Sequence, residues 1–98
     1  MYNGKWPSHR ELEVLRLLQS AGKGMYGMEV VQKSRGSVDR TTVYVYLGRL
    51  EEKGYVQVIR PTTRRNPGLQ RPIYNLNGLG ARAIQAAEMV GMIGAAAR

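Results

Sequence analysis

The sequence predicts a small, mainly helical α+β fold in which three helices precede a β-hairpin and a fourth helix follows it. Three observations support this prediction. Apolar residues recur at helical spacing in four stretches, two short β-branched stretches lie between the third and the fourth, and clusters of Gly, Pro, Asn and Ser separate them. The expected order is α-α-α-β-β-α, and 98 residues are enough for one domain.

The first predicted helix covers residues 10–20. Ser8 and Glu11 have the spacing of a capping box, which marks a helix start. More than half of the helix circumference is apolar, through Leu12, Val14, Leu15, Leu17 and Leu18. An outer helix of a small domain needs only an apolar stripe. We therefore expect this helix to be covered on two sides, with Val14 and Leu17 at an interface with a second copy of the chain.

Two further helices joined by a short turn predict a helix-turn-helix. The second predicted helix covers residues 27–34, and a Gly-containing turn follows it. The third covers residues 40–53, is capped by Asp39 or Ser37, and stops at Gly54. The residues expected to face inward from the two helices are Met28, Val31, Val43, Leu47 and Leu50.

Two β-branched stretches after the third helix predict an antiparallel hairpin. Residues 55–59 and 71–76 are the expected strands, and the loop between them contains two prolines and a glycine. A helix-turn-helix followed by such a hairpin is a winged helix-turn-helix, with the wing at about residues 55–76. Residues 1–77 are expected to form this unit.

The last predicted helix covers residues 78–97 and is capped by Asn77. Its apolar residues alternate at four and three positions, as in a coiled-coil contact: Leu79, Ala83, Ala86, Val90, Ile93 and Ala97. Such a helix would expose its apolar surface in a monomer, so we expect residues 78–98 to be a dimerisation helix within the same single domain. The alternative is that this helix folds back on its own core.

Positive charge is concentrated in the second half of the chain. Fifteen Lys and Arg residues against seven Asp and Glu give a net charge of +8, and no acidic residue lies between Lys53 and Ala87. A basic surface attracts a polyanion, although charge alone does not separate DNA, RNA and an anionic membrane. The outward face of the third helix is expected in the major groove, and the wing arginines on phosphates or in a narrow minor groove. The predicted DNA contacts are Arg40, Thr41, Thr42, Tyr44, Val45, Arg49, Arg60, Arg64, Arg65 and Arg71.

Three segments resemble those of PadR-like transcriptional regulators. MYGMEVV at residues 25–31 is similar to the family's YGYEI segment, TVYVYLGRLEEKGYV at 42–56 to its recognition helix, and RPIYNLNGLG at 71–80 to its strand and helix cap. The resemblance implies a dimeric winged-helix protein, typically a repressor, in which Tyr44 contacts the DNA backbone. Some members release DNA when a small aromatic ligand binds, so a small-molecule effector is a possible further partner. The short C-terminal helix departs from larger members that sense ligands through a longer domain.

Catalytic and metal-binding functions have no support in the sequence. There is no cysteine, His9 is the only histidine, and no glycine-rich phosphate-binding loop is present. We therefore expect no enzyme activity, no metal and no cofactor. No segment has the roughly 20 apolar residues of a membrane span, and no signal-like apolar run opens the chain, so a cytoplasmic location without membrane association is expected.

Together these features predict a transcriptional regulator that binds double-stranded DNA sequence-specifically, and the resemblance implies that it is a repressor. A homodimer is expected to bind an inverted-repeat operator. The alternative is a winged-helix interaction module that docks on another protein or on RNA.

Overall fold

The computed structural model describes residues 6–61 and 71–96, with side chains for residues 6–61 and 71–91. Its mostly helical architecture with a small antiparallel sheet confirms the predicted fold class. The elements are α1 (His9–Ala21), β1 (Met25–Tyr26), α2 (Gly27–Ser34), α3 (Val43–Lys53), β2 (Val56–Ile59), β3 (Ile73–Leu76) and α4 (Gly78–Ala96).

The sheet contains one strand that the sequence analysis missed. Its strand order is β1-β3-β2, all antiparallel, so the hairpin of β2 and β3 gains a third strand from the segment between α1 and α2. Met25 pairs with Tyr74, and Tyr26 pairs with Ile73. Strand β1 has only two residues, which is too short for an alternating apolar pattern to appear. This pairing joins the wing to the helix-turn-helix.

Helix α1 buries its apolar face within its own protomer. The predicted capping box is present: the Ser8 hydroxyl accepts a hydrogen bond from the Glu11 amide at 3.2 Å, and the Glu11 carboxylate accepts one from the Ser8 amide at 3.1 Å. Val14 and Leu15 are both completely buried. The prediction that Val14 lies at a dimer interface is therefore wrong, because no part of its side chain reaches the surface. Leu17 is half-buried and packs against the core.

A buried ion pair connects the start of α1 to the end of α3. The Lys53 ammonium contacts the Glu11 carboxylate and also donates to the Trp6 carbonyl oxygen at 3.2 Å. Both charged side chains are almost entirely buried, at 4% and 2% exposure. Removing one partner of such a pair strands the other charge in a poorly solvated place and is strongly destabilising. The pair therefore fixes the orientation of α3 relative to α1.

Helix α3 anchors itself through the face that the sequence predicted. Val43, Leu47 and Leu50 are all completely buried. The helix begins at Val43, three residues later than predicted, and ends at Lys53. Its C-cap is Gly54, whose φ of 84° is the left-handed conformation that glycine adopts without strain.

In α2 the residue that points fully inward is Val30, which is completely buried, whereas Met28 and Val31 are only half-buried. The inward face of α2 is therefore centred on Val30 and not on the predicted pair, Met28 and Val31. Gly27, at the start of α2, is also buried and faces α3. This places the α2 backbone itself, rather than a side chain, against the recognition side of the fold.

Helix α4 packs on the core through Ala83 and Ile84 and is exposed at residues 88–91. The Asn77 amide oxygen accepts a hydrogen bond from the Gly80 amide at 2.8 Å, which confirms Asn77 as the cap. Ala83, predicted at a dimer interface, is 3% exposed and belongs to the core, and it also lines a groove beside α4. Leu79, Val90 and Met89 are instead 46%, 67% and 59% exposed. Ala86 is half-buried, and the side chain of Ile93 lies outside the described residues.

Candidate nucleic-acid interface

The outward face of α3 carries large side chains that the described residues leave uncovered. Tyr44 and Val45 are 47% and 48% exposed, and Arg49 is exposed one turn later. Adding a Cβ atom at Gly48 would meet nothing within 4 Å, so the backbone between Val45 and Arg49 is open to close approach. This face is backed by the three completely buried residues of the same helix, which hold it firmly in place.

The turn before α3 is organised around one carboxylate oxygen of Asp39. That oxygen accepts hydrogen bonds from the amides of Thr41 and Thr42, at 3.0 and 2.9 Å, and from their hydroxyls, at 2.7 and 2.9 Å. The Thr hydroxyls and then the Thr42 amide hold the pKa of Asp39 below its usual value. Arg40 and Thr41 are exposed in this turn rather than inside the helix. Of the two predicted caps, Asp39 therefore closes the turn before α3, while the N-cap position of the helix itself is Thr42, without a side-chain hydrogen bond.

These hydrogen bonds limit what the two threonines offer to a ligand. Each hydroxyl has one hydrogen, and both hydrogens are directed at Asp39. Thr41 and Thr42 consequently present oxygen lone pairs, which accept hydrogen bonds from the amino groups of adenine or cytosine. Phosphate oxygens are also acceptors, so a phosphate contact from either hydroxyl would require it to leave Asp39. In this arrangement the threonines suit base edges better than the DNA backbone.

Tyr44 is held by the first residue of α2. A Cβ atom placed on Gly27 would lie only 2.5–2.7 Å from the ring and hydroxyl atoms of Tyr44, so the ring lies directly on the Gly27 backbone. This contact could not be predicted from the sequence, because nothing in the spacing of residues 27 and 44 indicates it. Tyr44 therefore has a fixed position at the junction of the two helices of the helix-turn-helix.

The base of the wing contains an ion pair that the sequence did not reveal. Arg60 forms a two-bond pair with Glu51 of α3, at 2.9 and 2.8 Å. The guanidinium holds the pKa of Glu51 below its usual range. Arg71, on the returning side of the hairpin, is exposed. Arg64 and Arg65 lie outside the described residues.

An apolar groove of about 250 Å³ lies beside α4. It is lined by Trp6, Tyr55, Leu79, Arg82, Ala83 and Ala86. Trp6 is 52% exposed and forms one wall of the groove. Across residues 6–61 and 71–96, no group of three His, Cys, Asp or Glu side chains is placed to hold a metal ion. None of the helices in that part of the chain is both long and apolar enough to cross a membrane.

The helix-turn-helix of α2 and α3, followed by the β2–β3 hairpin, defines a winged helix-turn-helix protein. The sequence model of the penicillinase repressor family matches residues 7–66. The chain belongs to this family, and it is a winged-helix transcriptional regulator. A search of curated proteins found no significant match.

Solved structures support the same fold. A PadR family transcription regulator from Clostridium difficile R20291 is 20% identical, with a TM-score of 0.70, over 88% of this chain and 90% of that one. The protein smu.1704 from Streptococcus mutans UA159 is 22% identical, with a TM-score of 0.64, over 95% and 85% of the two chains. The PcaV transcriptional regulator from Streptomyces coelicolor, solved with its natural ligand, is 23% identical, with a TM-score of 0.64, over 92% and 62%. These likenesses confirm the predicted PadR-like winged-helix architecture.

Proposed function

We propose that this protein is a repressor that binds an inverted-repeat operator in double-stranded DNA as a homodimer. One observation carries the proposal: α3 is anchored by Val43, Leu47 and Leu50, which are completely buried, while Tyr44 and Val45 on its other side are about half exposed. A helix that is fixed on one side and carries uncovered side chains on the other suits insertion into a major groove. A repressor then acts by occupying the operator.

Different residues of the interface suit different parts of DNA. Arg49 and Arg40 are exposed and suit the O6 and N7 atoms of guanine, and Val45 suits a thymine methyl group. Thr41 and Thr42 suit base amino groups, because their hydrogens are directed at Asp39. The wing arginines suit phosphates or a narrow minor groove, which contribute affinity with little choice of sequence. The proposed wing contacts are Arg64, Arg65 and Arg71.

The dimer in this proposal forms through α4 and the adjacent side of α1. Leu79 and Val90 are large apolar side chains that water would otherwise cover, and exposed apolar surface of this kind marks an interaction site. Leu17, Ala86 and Ile93 complete the proposed contact. The groove beside Trp6 continues the same surface.

The proposal is tested by selecting bound sequences from random duplex DNA and comparing wild type with Arg49→Ala. We expect an inverted repeat, and we expect the variant to lose about 1–3 kcal/mol of discrimination at one base pair of each half-site. The control is Gln19→Ala, an exposed residue of α1 that should leave the selected sequence unchanged. Enrichment of no duplex sequence, or equal binding to single-stranded RNA, would favour the interaction module instead.

A further inference from the structure

The Glu51–Arg60 pair lies where the wing leaves the body of the protein. Arg60 directly follows Ile59, the last residue of β2, whose partner across the hairpin is Ile73. Its two terminal nitrogens donate to the two carboxylate oxygens of Glu51, at 2.9 and 2.8 Å. Glu51 is in the last turn of α3. The pair therefore connects the first residue of the wing loop to the recognition helix.

The geometry of this contact constrains direction as well as distance. Two parallel hydrogen bonds between a planar guanidinium and a carboxylate fix their relative orientation, which a single ammonium contact does not. Pro61 follows Arg60 and disfavours helical backbone at Arg60. Both restrictions act on Arg60, where the chain leaves β2: one comes from Pro61 and the other from Glu51 of the recognition helix.

The electrostatics of the pair argue against Arg60 as a phosphate contact. The two charges neutralise each other, and a neutral pair releases few counterions when a phosphate approaches. The side chains are 59% and 36% exposed, so the pair adds little to folding stability. What the pair does supply is a fixed position for the base of the wing.

We propose that Glu51 and Arg60 are positioning residues that hold the wing at a fixed angle to the recognition helix, so that helix and wing meet DNA together. The inference rests on the proposed function, because the quantity that the pair controls is affinity for DNA. It assigns a role to Glu51, an acidic residue whose charge alone would only repel the ligand.

The charge of Glu51 and its positioning role have opposite effects on DNA affinity, so the direction of the change in affinity tests the proposal. Glu51→Gln removes a negative charge, so charge alone predicts tighter DNA binding, whereas loss of positioning predicts weaker binding. We expect operator affinity to fall about two- to fivefold, the range of an exposed ion pair. The matched control is Glu52→Gln, which makes the same charge change at an exposed neighbour on the same helix. The control should bind as tightly as wild type or more tightly.

Variants of Arg60 separate positioning from contact. Arg60→Lys keeps the charge but loses the two-bond geometry, so it should weaken binding as much as Glu51→Gln. The double variant Glu51→Gln/Arg60→Gln should be no weaker than either single variant, and the slope of log affinity against log salt should stay that of wild type. Thermal unfolding of each variant, measured in parallel, should shift little because the pair is exposed.

The contrary results are equally specific. If Glu51→Gln tightens binding while Arg60→Gln lowers the salt slope by about one, Arg60 is a phosphate contact and the inference is wrong. If both substitutions leave affinity and slope unchanged, the pair has no role in binding and the inference is wrong as well. Failure of the proposed function looks different: wild type itself would then show no preference for any duplex sequence.

Discussion

Helices α1 and α4 are both rich in apolar residues, yet they use them in opposite ways. In α1 the large residues Val14, Leu15 and Leu18 are at most 1% exposed, so the helix is satisfied within its own protomer. In α4, Ala83 and Ile84 pack on the core, whereas Met89 and Val90 are more than half exposed. Both helices were expected at a dimer interface. Only α4 leaves large apolar side chains exposed for that role.

The comparison shows that the burial of an apolar residue depends on the elements around it more than on the number of apolar residues in its helix. Helix α1 lies under α2, α3, α4 and the sheet strand β3, all of which contact it. Met89 and Val90, farther along α4, are more than half exposed, so the described part of the chain covers little of them. We expect the two helices to respond very differently to substitution.

The largest effect is expected at the ion pair that holds α1 to α3. Lys53→Met would leave the Glu11 carboxylate buried without its cation, and we expect a loss of about 3–5 kcal/mol in the free energy of unfolding. Urea denaturation measures this loss. The double variant Glu11→Leu/Lys53→Met should recover much of it, because no buried charge remains. A double variant as unstable as the single one would mean that packing, rather than the charge, is responsible.

Truncating one apolar residue on each helix tests the comparison directly. Leu15→Ala should lower the free energy of unfolding by about 2–5 kcal/mol at every protein concentration, because the cavity forms inside the protomer. Val90→Ala should lower it by less, and only to an extent that depends on protein concentration, as expected for an interface residue. Equal, concentration-independent losses for the two variants would show that α4 is as much a core helix as α1.

A charge placed on α4 should affect assembly rather than folding. Val90→Glu puts a carboxylate in the proposed dimer contact, so we expect the mass measured by light scattering to fall toward that of one chain and operator binding to weaken with it. Gln19→Glu adds the same charge to an exposed position on α1 and should leave the mass unchanged. A wild-type mass of one chain at micromolar concentration would contradict the dimer.

The smallest effect is expected on the solvent side of α1. The Glu13 carboxylate accepts a hydrogen bond from Ser37, which holds its pKa below the ordinary value of 4.5, and Arg10 lowers that pKa further. A carboxyl whose pKa is lower in the folded state stabilises the fold above the unfolded pKa, and this contribution is lost as pH falls through the folded pKa. Glu13→Gln should therefore flatten the decline in stability below about pH 4.5 by a few tenths of a kcal/mol. If the free energy of unfolding of the variant falls with pH as steeply as that of wild type, Glu13 contributes nothing to the pH dependence of stability.

Most of the helices could be predicted because residues close together in the sequence determine where they begin and which face they bury. The caps at Ser8, Asp39 and Asn77 are short-range signals, and the inward face of α3 follows from its i, i+4, i+7 spacing. Strand β1 could not be predicted, because two residues form a strand here only through their pairing with β3. The inward residue of α2 was misplaced for a similar reason: eight residues give too little periodicity to fix the face.

The site was less predictable than the fold, because its decisive contacts join residues far apart in sequence. The Arg60 guanidinium was expected on DNA, and its nine-residue separation from Glu51 gave no sign of their pairing. The Tyr44 ring meets Gly27 across the helix-turn-helix. The outward direction of Tyr44 and Val45 was predictable, since it is the complement of the buried face. Which of these side chains touch a base remains a prediction.

The spacing of the two half-sites tests the central claim most directly, namely that α4 pairs two copies and sets the separation of their recognition helices. A gel-shift series would insert spacers of increasing length between the half-sites of the selected operator. We predict that adding about 5 bp, half a helical turn, reduces affinity toward the non-specific level, and that adding about 10 bp restores part of it. A smooth decline with no dependence on helical phase, or equally tight binding to one isolated half-site, would contradict the account.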